Sequence, residues 1–272
     1  GYLGAFCLAN VNSVQEATTT HYTHTIRPRD PLLATGRQAR LTTLYFEATG
    51  PDAGRRKAAY PDLTVLSFTL TVRPGEFIAL AADFIGSGRE DAAAAPTIPA
   101  LASAFEIDSQ QILIELGDQG GALTDISERL RELTITVNQV IDEAGRYRPT
   151  GGALANARFA ARMPFLRRTA SISIALGADR ANTDIKDRVL NEQRSHIKIT
   201  GDSGVLAGTG TVNHKFVFNV PDCRLREAPL EFDDSGAFYR VAIPETSMFP
   251  DSGIGNVPFE LVVDNTQVSY FV

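Results

Sequence analysis

Two histidines and a Gly-Asp-Ser-Gly segment are the residues whose types could support chemistry in this chain. His21 and His24 suggest a metal pair, but residues three apart on a strand point to opposite faces, and no third ligand is nearby in the sequence. Residues 201–204 resemble a serine-protease nucleophile loop, yet Asp-Ser-Gly recurs at 234–236 and 251–253, as is typical of turns. The sequence therefore predicts no catalytic, metal or cofactor-binding residue.

Two further motifs are weak indications of an enzyme. Residues 86–88, Gly-Ser-Gly, follow a predicted strand, but the third glycine and the lysine of a phosphate-binding loop are missing. Glu231 and Asp233 could act as paired carboxylates of a glycosidase, but the chain has no tryptophan on which a sugar would stack. We therefore expect no enzymatic activity.

Basic side chains gather in two regions of an acidic chain. The formal net charge is −6, which argues against a surface built mainly to hold nucleic-acid phosphates. In an acidic protein that self-associates, basic clusters would meet acidic surfaces on neighbouring copies, whereas solvated loop faces are the simpler alternative. The basic residues are Arg55, Arg56 and Lys57 in the first region, and Arg158, Arg162, Arg167 and Arg168 in the second.

The elements that must position these residues are mostly strands. In residues 66–72 every second side chain is apolar, which predicts a strand with one buried and one solvated face. Many such segments separated by turn residues favour an all-β-dominated fold, an antiparallel sandwich or barrel. The same alternation recurs at 133–137, 172–174, 197–199, 216–220, 238–243, 259–263 and 268–272. Turn residues lie at 73–75, 117–121, 201–204 and 233–236.

One flanking α-helix is predicted at residues 182–194. Asn182 can cap it, Asp184 lies in the first turn, and Ile185 begins an apolar i, i+4 stripe. Asp184 and Arg188 would form a surface pair. Residues 124–131 fit either a short helix or the lead-in to a strand.

The chain is expected to form a single domain, 1–272, with long loops near 49–61, 86–100 and 145–164. Connections of this length are uncommon in compact domains and usually bind something or are disordered in isolation. We therefore expect each of the three loops to have a partner.

The apolar segments and the two cysteines further restrict the classes of protein to which the chain could belong. The longest apolar runs, such as 77–82, are too short to cross a bilayer, and the apolar start, 1–9, lacks the basic residue of a signal peptide. Cys7 and Cys223 have no spacing typical of a disulfide framework and are expected to be buried free thiols.

The order of these parts resembles the siphophage-type major tail tube protein family. The resemblance covers most of the chain and is one of layout, with no invariant motif. In the first half it is carried by Gly-Tyr-Leu-Gly-Ala at 1–5, the polar segment 15–24, a loop at 40–60 and the segments 63–72 and 77–88. The segment 77–88 ends in Phe-Ile-Gly-Ser-Gly. In the second half the resemblance is carried by 131–142, a strand-helix-strand unit at 169–200 and closing strands to 272.

The resemblance implies a structural virion protein, assembled in the host cytoplasm, whose hexameric rings stack into the tube that conducts DNA. Its partners would be other copies of itself, the tape-measure protein, tail terminator and distal tail proteins, and DNA passing an acidic lumen without specific binding. Loop 49–61 would reach the adjacent ring, and the helix would lie near the ring interface. The candidate contact residues are Arg55, Arg56, Lys57, Tyr60, Arg158, Arg162, Arg167, Arg168, Asp184 and Arg188.

Two alternatives stay open at this stage. The chain could be another virion β protein, which would have the same strand-rich sequence pattern. Examples are a contractile-system inner tube, a tail terminator or a head-tail connector. A carbohydrate-binding β-sandwich module is the alternative from a different class, and it predicts a monomer with a defined pocket.

Overall fold

Strands dominate the computed structural model, which describes residues 2–16, 19–28, 42–49, 55–86, 107–142, 165–178, 184–234 and 236–268. Two α-helices lie among them. The helices are α1 (Tyr2–Leu8) and α2 (Asp184–Leu190). The strands are β1 (Ala9–Gln15), β2 (Tyr22–Pro28), β3 (Thr42–Thr49), β4 (Arg55–Val72), β5 (Ala79–Ile85), β6 (Ile112–Asp118), β7 (Leu123–Asp125), β8 (Leu130–Ile141), β9 (Phe165–Gly177), β10 (Arg194–Leu206), β11 (Asn213–Arg224), β12 (Leu230–Asp233), β13 (Gly236–Ile243) and β14 (Glu260–Asn265).

The strands form two antiparallel sheets of seven strands each. Sheet I has the order β1-β2-β14-β11-β10-β6-β7, and sheet II has the order β12-β13-β9-β8-β4-β3, with β5 also paired to β4. The same residues of β4 pair with both β8 and β5, so these two strands flank β4 on opposite sides. This arrangement confirms the predicted antiparallel sandwich.

The core fills the space between the two sheets. In β8, buried and partly exposed side chains alternate along the strand, as the sequence predicted. Ile135 and Ile172 of sheet II and Ile199 and Phe218 of sheet I belong to one hydrophobic cluster. Each such buried side chain contributes about 1.5–3 kcal/mol, so this shared interior holds the sheets together.

Helix α1, which the sequence analysis did not predict, packs against both sheets. It contacts β1 and β2 of sheet I and β4 and β8 of sheet II. Ala5, Cys7 and Leu8 are fully buried. A Cβ atom on Gly4 would lie 2.6 Å from Leu261 Cδ2, so glycine allows the helix to approach β14 closely. At seven residues the helix is too short to show a helical period in the sequence.

Helix α2 is shorter than the predicted helix at 182–194. It ends at Leu190, Glu192 adopts a left-handed φ of 49°, and Arg194 already belongs to β10. Residues 182–183 lie outside the described residues. The pairing of Arg194 with Arg224 in sheet I competes with the last helical turn and ends the helix early.

The predicted loop at 49–61 is wrong over residues 55–61. β3 ends at Thr49 and β4 begins at Arg55, so these residues form the start of a strand paired to β3. The backbone hydrogen bonds between β3 and β4 stabilise a strand here, although the polar composition of residues 55–61 is typical of a loop. The other two predicted loops, 86–100 and 145–164, lie outside the described residues, except for Gly86, which directly follows β5.

Several predicted turns and strands have clear outcomes. Residues 73–75 follow β4 as predicted, and of the turn predicted at 117–121 residues 119–121 follow β6, whose last two residues are 117 and 118. The turn predicted at 233–236 lies between the end of β12 and the start of β13, with residue 235 outside the described residues. Residues 201–204 lie inside β10 at a register irregularity. There Gly204 has a φ of +68°, which glycine adopts without steric cost. The final predicted strand, 268–272, is not a strand at Val268, and its other residues lie outside the described part of the chain.

The segment at 124–131 combines short elements. β7 ends at Asp125, a 3-10 turn spans Ser127–Arg129, and β8 begins at Leu130.

Neither described helix has the length and hydrophobicity needed to cross a lipid bilayer.

Candidate assembly surfaces

The predicted contact residues Arg55, Arg56 and Lys57 begin the long strand β4, where they pair in register with residues 49 to 47 of β3. β4 has 18 residues, which corresponds to a length of about 60 Å. Its first half, to Leu63, is paired to β3, and its second half pairs with β5 and β8. The β3–β4 hairpin is therefore an extension of about 30 Å beyond the part of β4 that lies within the wider sheet.

A two-stranded hairpin of this kind is only marginally stable in water by itself. At its base, Ala59 is buried and Tyr60 is half-buried opposite Leu44. Helix α1 also packs against β4. The base of the hairpin is thus anchored in the protomer.

Two adjacent arginines of β9 have opposite environments. Arg167 has 64% of its side chain exposed and pairs with Glu245 at 2.8 Å. Arg168 is buried at 7% exposure, and its guanidinium lies 3.5 Å from the centroid of the Phe165 ring. Arg167 is therefore available on the surface, whereas Arg168 is part of the interior. The other two arginines of this predicted cluster, Arg158 and Arg162, lie outside the described residues.

Arg168 connects helix α1 to sheet II. Its Nε donates to the Cys7 carbonyl oxygen at 2.5 Å and to Gln139 Oε1 at 3.1 Å, and its Nη2 donates to the same Gln139 oxygen at 2.8 Å. Gln139 in turn donates to Thr64 Oγ1 and to the Val65 carbonyl of β4. One buried guanidinium thus holds together α1, β9, β8 and β4.

The predicted pair on helix α2 exists, but Arg188 is buried, not on the surface as expected. Its Nε donates to Asp184 Oδ2 at 3.1 Å, and its Nη1 donates to Asp118 Oδ1 at 2.8 Å. The same Nη1 also reaches the Gly117 carbonyl at 3.3 Å. Arg188 therefore anchors α2 to β6 of the same chain, while Asp184 and Asp118 remain largely exposed.

The two edges of sheet II carry exposed apolar side chains that sequence reasoning missed. At the β12 edge, Leu230 is 47% and Phe232 is 75% exposed. At the β5 edge, Leu80 is 56% and Phe84 is 37% exposed, and the nearby Phe77 is 70% exposed. The alternation in residues 80–84 was a signal for a strand there, but only the sheet order makes both strands edges.

An apolar groove lies beside the β5 edge, between the two sheets. It has a volume of about 170 Å³. Leu70 and Leu80 line it from sheet II, Phe216 and Leu261 line it from sheet I, and Leu3 lines it from α1. The groove is thus the place where the sandwich is incompletely filled.

The central rows of the outward face of sheet II consist of small, mostly uncharged side chains, while the ion pairs of Glu132 with Arg73 and Arg240 lie toward one end of this face. Thr69 Oγ1 lies 3.3 Å from Thr136 Oγ1, and Ser67 donates to Asp83 at 2.6 Å. Asp83 is the charged member of this set, so the central face offers no cation to a phosphate. The paired residues across β9, β8, β4 and β5 are Ser173, Thr134, Thr71 and Ala79; Ser171, Thr136, Thr69 and Ala81; and Thr169, Asn138, Ser67 and Asp83.

The outward face of sheet I, in contrast, is crossed by ion pairs. Lys198 Nζ lies 3.1 Å from Glu115 Oε2, and Lys215 Nζ lies 3.6 Å from Asp264 Oδ2. Arg27 also pairs with Glu260 at 2.9 Å. The two faces of the sandwich therefore differ at their centres, where sheet II carries hydroxyl groups and sheet I carries fixed charges of both signs.

The histidines considered for metal binding form hydrogen bonds at separate positions. His21 is buried between Glu16 Oε2 at 3.1 Å and Asp264 Oδ1 at 3.0 Å. His24 Nδ1 lies 2.7 Å from Ser13 Oγ, and its Nε2 lies near the Gln267 carbonyl. Within the described ranges, no group of three or more potential metal ligands was found.

The remaining sequence motifs also have structural roles. Ser203 Oγ accepts from the Val205 amide at 3.2 Å, and Asp202 Oδ1 accepts from the Gly204 amide at 2.8 Å, as expected for turn residues. Glu231 accepts from Arg240, and Asp233 accepts from Arg131, on the outward face of the β12–β13 hairpin. These carboxylates thus form ion pairs with neighbouring strands.

A family model described as phage tail tube protein matches residues 3–237. These residues run from α1 into β13 and include strands of both sheets, but not β14. No curated protein matches the chain.

Proposed function

This chain belongs to the phage tail tube protein family, and from that premise we propose that its copies form closed hexameric rings that stack into the tube conducting DNA. Membership makes the chain a structural component of the phage tail. The observation that carries the proposal is the family match over residues 3–237, because it spans most of the chain, from α1 to the start of β13, and not one motif.

Ring formation is supported by the two edges of sheet II, β12 and β5, on whose outer sides the described part of the chain has no further strand. An exposed sheet edge with apolar side chains tends to pair with another chain, and natural proteins cover such edges. Leu230 and Phe232 at one edge and Leu80 at the other are such side chains. A cyclic arrangement covers both edges of every copy and stops growth when the ring closes.

Contact between stacked rings is assigned to the β3–β4 hairpin. Arg55, Arg56 and Lys57 lie near its tip, where they would meet acidic residues of the adjacent ring. Tyr60 lies nearer its base. Arg167 and Asp184 are exposed, and we assign them to contacts within or between rings. Arg168 and Arg188 are buried and bind partners within their own chain, so they are not assigned to assembly contacts.

The hydroxyl face of sheet II is assigned to the lumen. DNA would slide past a wall whose central rows offer neither cations for its phosphates nor aromatic rings for its bases. The arginines toward one end of this face, Arg73, Arg131 and Arg240, are each paired with a carboxylate. The face of sheet I, with Lys198, Lys215 and Arg27, would lie outside. This assignment replaces the expected acidic lumen by one whose centre is largely neutral, with Asp83 as its charge, and whose one end carries paired charges of both signs.

The remaining parts of the proposal follow from the function of a tail tube. The chain has no enzymatic activity and needs no cofactor. Its partners in the virion are the tape-measure protein inside the tube and the terminator and distal tail proteins at its ends. Assembly takes place in the host cytoplasm.

Electron microscopy of the purified chain tests the ring and tube proposal. We expect size-exclusion profiles that grow with concentration and images of rings or unsheathed tubes. A chain that stays a monomer at every concentration would overturn the proposal and favour a carbohydrate-binding module. Isolated rings that never stack would favour a terminator or connector.

A shortened hairpin tests the contact between rings. Phe46 pairs with Ala58, so residues 47–57 can be replaced by Asn-Gly, which closes a tight two-residue turn. We expect folded protomers and rings but no tubes. An Arg55→Ala/Arg56→Ala/Lys57→Ala variant keeps the hairpin length and separates the contribution of charge. Unchanged tubes in the shortened variant would contradict the role of the hairpin.

Cysteine labelling tests the lumen assignment in assembled tubes. Thr136→Cys, on the hydroxyl face, should react with a small maleimide but not with a polymer-linked maleimide too large to enter the tube. Asn12→Cys, exposed on sheet I, should react with both. The opposite pattern would place sheet I in the lumen, and protection of Thr136→Cys from both reagents would place that face in a subunit contact.

A further inference from the structure

The apolar side chains at the β12 edge lie on the face of sheet II that carries the core. Leu230 pairs with Tyr239, which pairs with Leu176, a fully buried core residue. Directly opposed residues of an antiparallel pair share one face, and Phe232 follows Leu230 by two residues. Leu230 and Phe232 therefore point to the same side as the core but extend beyond it.

The apolar side chain at the β5 edge lies on this same face. Leu80 pairs with Leu70, which pairs with the buried Ile135. Leu70, Leu80 and Ile135 all line the groove between the sheets. One edge of sheet II thus carries a projecting phenylalanine and the other edge carries an open groove, both on the core face. Along the strands the two are offset by six residues, because the row of paired residues through Leu80 crosses β13 at Ile243 whereas Phe232 pairs with Ala237. In a ring whose strands tilt by about 35° to its axis, as in β-barrels, an offset of this size brings the phenylalanine of one copy to the height of its neighbour's groove.

The groove has the size of an aromatic ring. Its volume is about 170 Å³, and an apolar protein cavity of about 150 Å³ is known to bind benzene. A phenyl ring from outside could thus fill the space that Leu70, Phe216 and Leu261 leave open. Filling it would also bury Leu80, which is 56% exposed.

Strand direction is compatible with a sheet that continues between copies. β12, β13, β9, β8, β4 and β5 lie in this order, and each neighbouring pair is antiparallel. Because their number is even, β12 and β5 run in opposite directions. Cyclic symmetry preserves direction along the axis, so β12 of the next copy would also lie antiparallel to β5.

We infer that β12 of one copy pairs with β5 of its neighbour, and that Phe232 of the first copy fills the groove beside Leu80 of the second. The ligand is a second copy of this chain, and the inference rests on the proposed function because it assumes a ring. Charge does not oppose the pairing. Glu231 and Asp233 of β12 already bind Arg240 and Arg131 on the opposite face.

Disulfide cross-linking tests this contact directly. The double variant Leu80→Cys/Phe232→Cys should form a ladder of covalent multimers on mild oxidation of the assembled protein. The matched control is Leu206→Cys/Phe232→Cys, since Leu206 is 54% exposed but lies at the end of β10 in sheet I. The native Cys7 and Cys223 are buried and leave little background. We expect at least a tenfold higher multimer yield than in the control.

A substitution series gives an independent readout. Phe232→Asp should move the assembly midpoint at least tenfold higher in protein concentration, and Phe232→Leu should restore most of the loss. Leu206→Asp, at an exposed apolar site in sheet I, should leave assembly unchanged. Thermal unfolding of the protomer should be unaffected in both aspartate variants, because both side chains are largely exposed.

The outcomes separate this inference from the proposed function. If the wild-type chain does not assemble, both are overturned. If it assembles, but Leu80→Cys/Phe232→Cys gives no multimers above the control and Phe232→Asp assembles normally, the ring stands and this contact is wrong. A disulfide formed within one chain, or a groove filled by another part of the same chain, would equally overturn the inference.

Discussion

Replacing Arg168 by alanine should destabilise the protomer by about 4 kcal/mol. The change removes the donors to Gln139 Oε1 and to the Cys7 carbonyl, both inside the protein. Each buried acceptor left without a partner costs about 1–3 kcal/mol. The desolvated stacking on Phe165, at 3.5 Å from the ring centroid, adds about 2 kcal/mol. Partial relaxation around the cavity reduces the sum toward the stated value.

The neighbouring arginine provides the matched control. Arg167→Ala alters the same strand but removes an exposed ion pair with Glu245, which is expected to cost less than about 1 kcal/mol. Urea unfolding followed by circular dichroism, at a concentration where the chain is a protomer, measures both values. For a chain of this size, Arg168→Ala should lower the melting temperature by about 8–16 °C.

A loss in Arg168→Ala no larger than that in Arg167→Ala would refute the reasoning. If Arg168→Ala does not fold, Arg168→Lys keeps the charge but lacks the planar fork that reaches both acceptors. We expect that variant to fold with an intermediate loss. Wild-type stability in Arg168→Lys would show that charge alone, and not the hydrogen-bond network, holds α1 to sheet II.

Three further predictions concern titration, reactivity and packing. Burial lowers the pKa of His24 and of His214 below the unfolded value of about 6.5. As the pH is lowered, the unfolded chain therefore binds protons before the folded chain does, and the free energy of unfolding should fall as the pH drops from about 7 to about 5. Denaturant titrations should find this pH dependence reduced in a His24→Asn/His214→Asn variant. Burial raises the pKa of both cysteine thiols to about 12, so a thiol reagent should react with them only after unfolding, and rapid labelling of the native protein would contradict their placement. Gly117→Ala should cost about 1–3 kcal/mol because its Cβ would lie 2.2 Å from the Ala122 carbonyl oxygen, whereas Gly177→Ala, with its nearest contact at 3.7 Å, should be close to neutral in the same unfolding assay.

The proposed assembly contacts could be predicted from the sequence only in part. The polar segment at 49–61 was recognised as a candidate contact, but its form as a hairpin depends on pairing with β3, whose residues gave no comparable signal. Phe232 and Leu80 looked like ordinary apolar residues of short strands. Their exposure follows from the order of strands in sheet II, which places β12 and β5 at its edges.

The arginines show the same limit. Arg167 and Arg168 are adjacent and have the same charge, so the sequence gave both the same role. The pleat of β9 directs them to opposite faces, and the partners of Arg168 lie at Gln139 and Cys7, far away along the chain. Asp184 and Arg188, four residues apart in one helix, were correctly paired because that contact is local.

By itself, the sequence determined the fold class and the position of most strands, since alternation of apolar side chains and turn chemistry act between residues close in the chain. Only the tertiary structure decided which strands are edges, which arginine is buried and where the groove lies between the sheets. These features depend on pairings between distant residues, and a distant pairing changes the environment of a side chain without leaving a local pattern in the sequence.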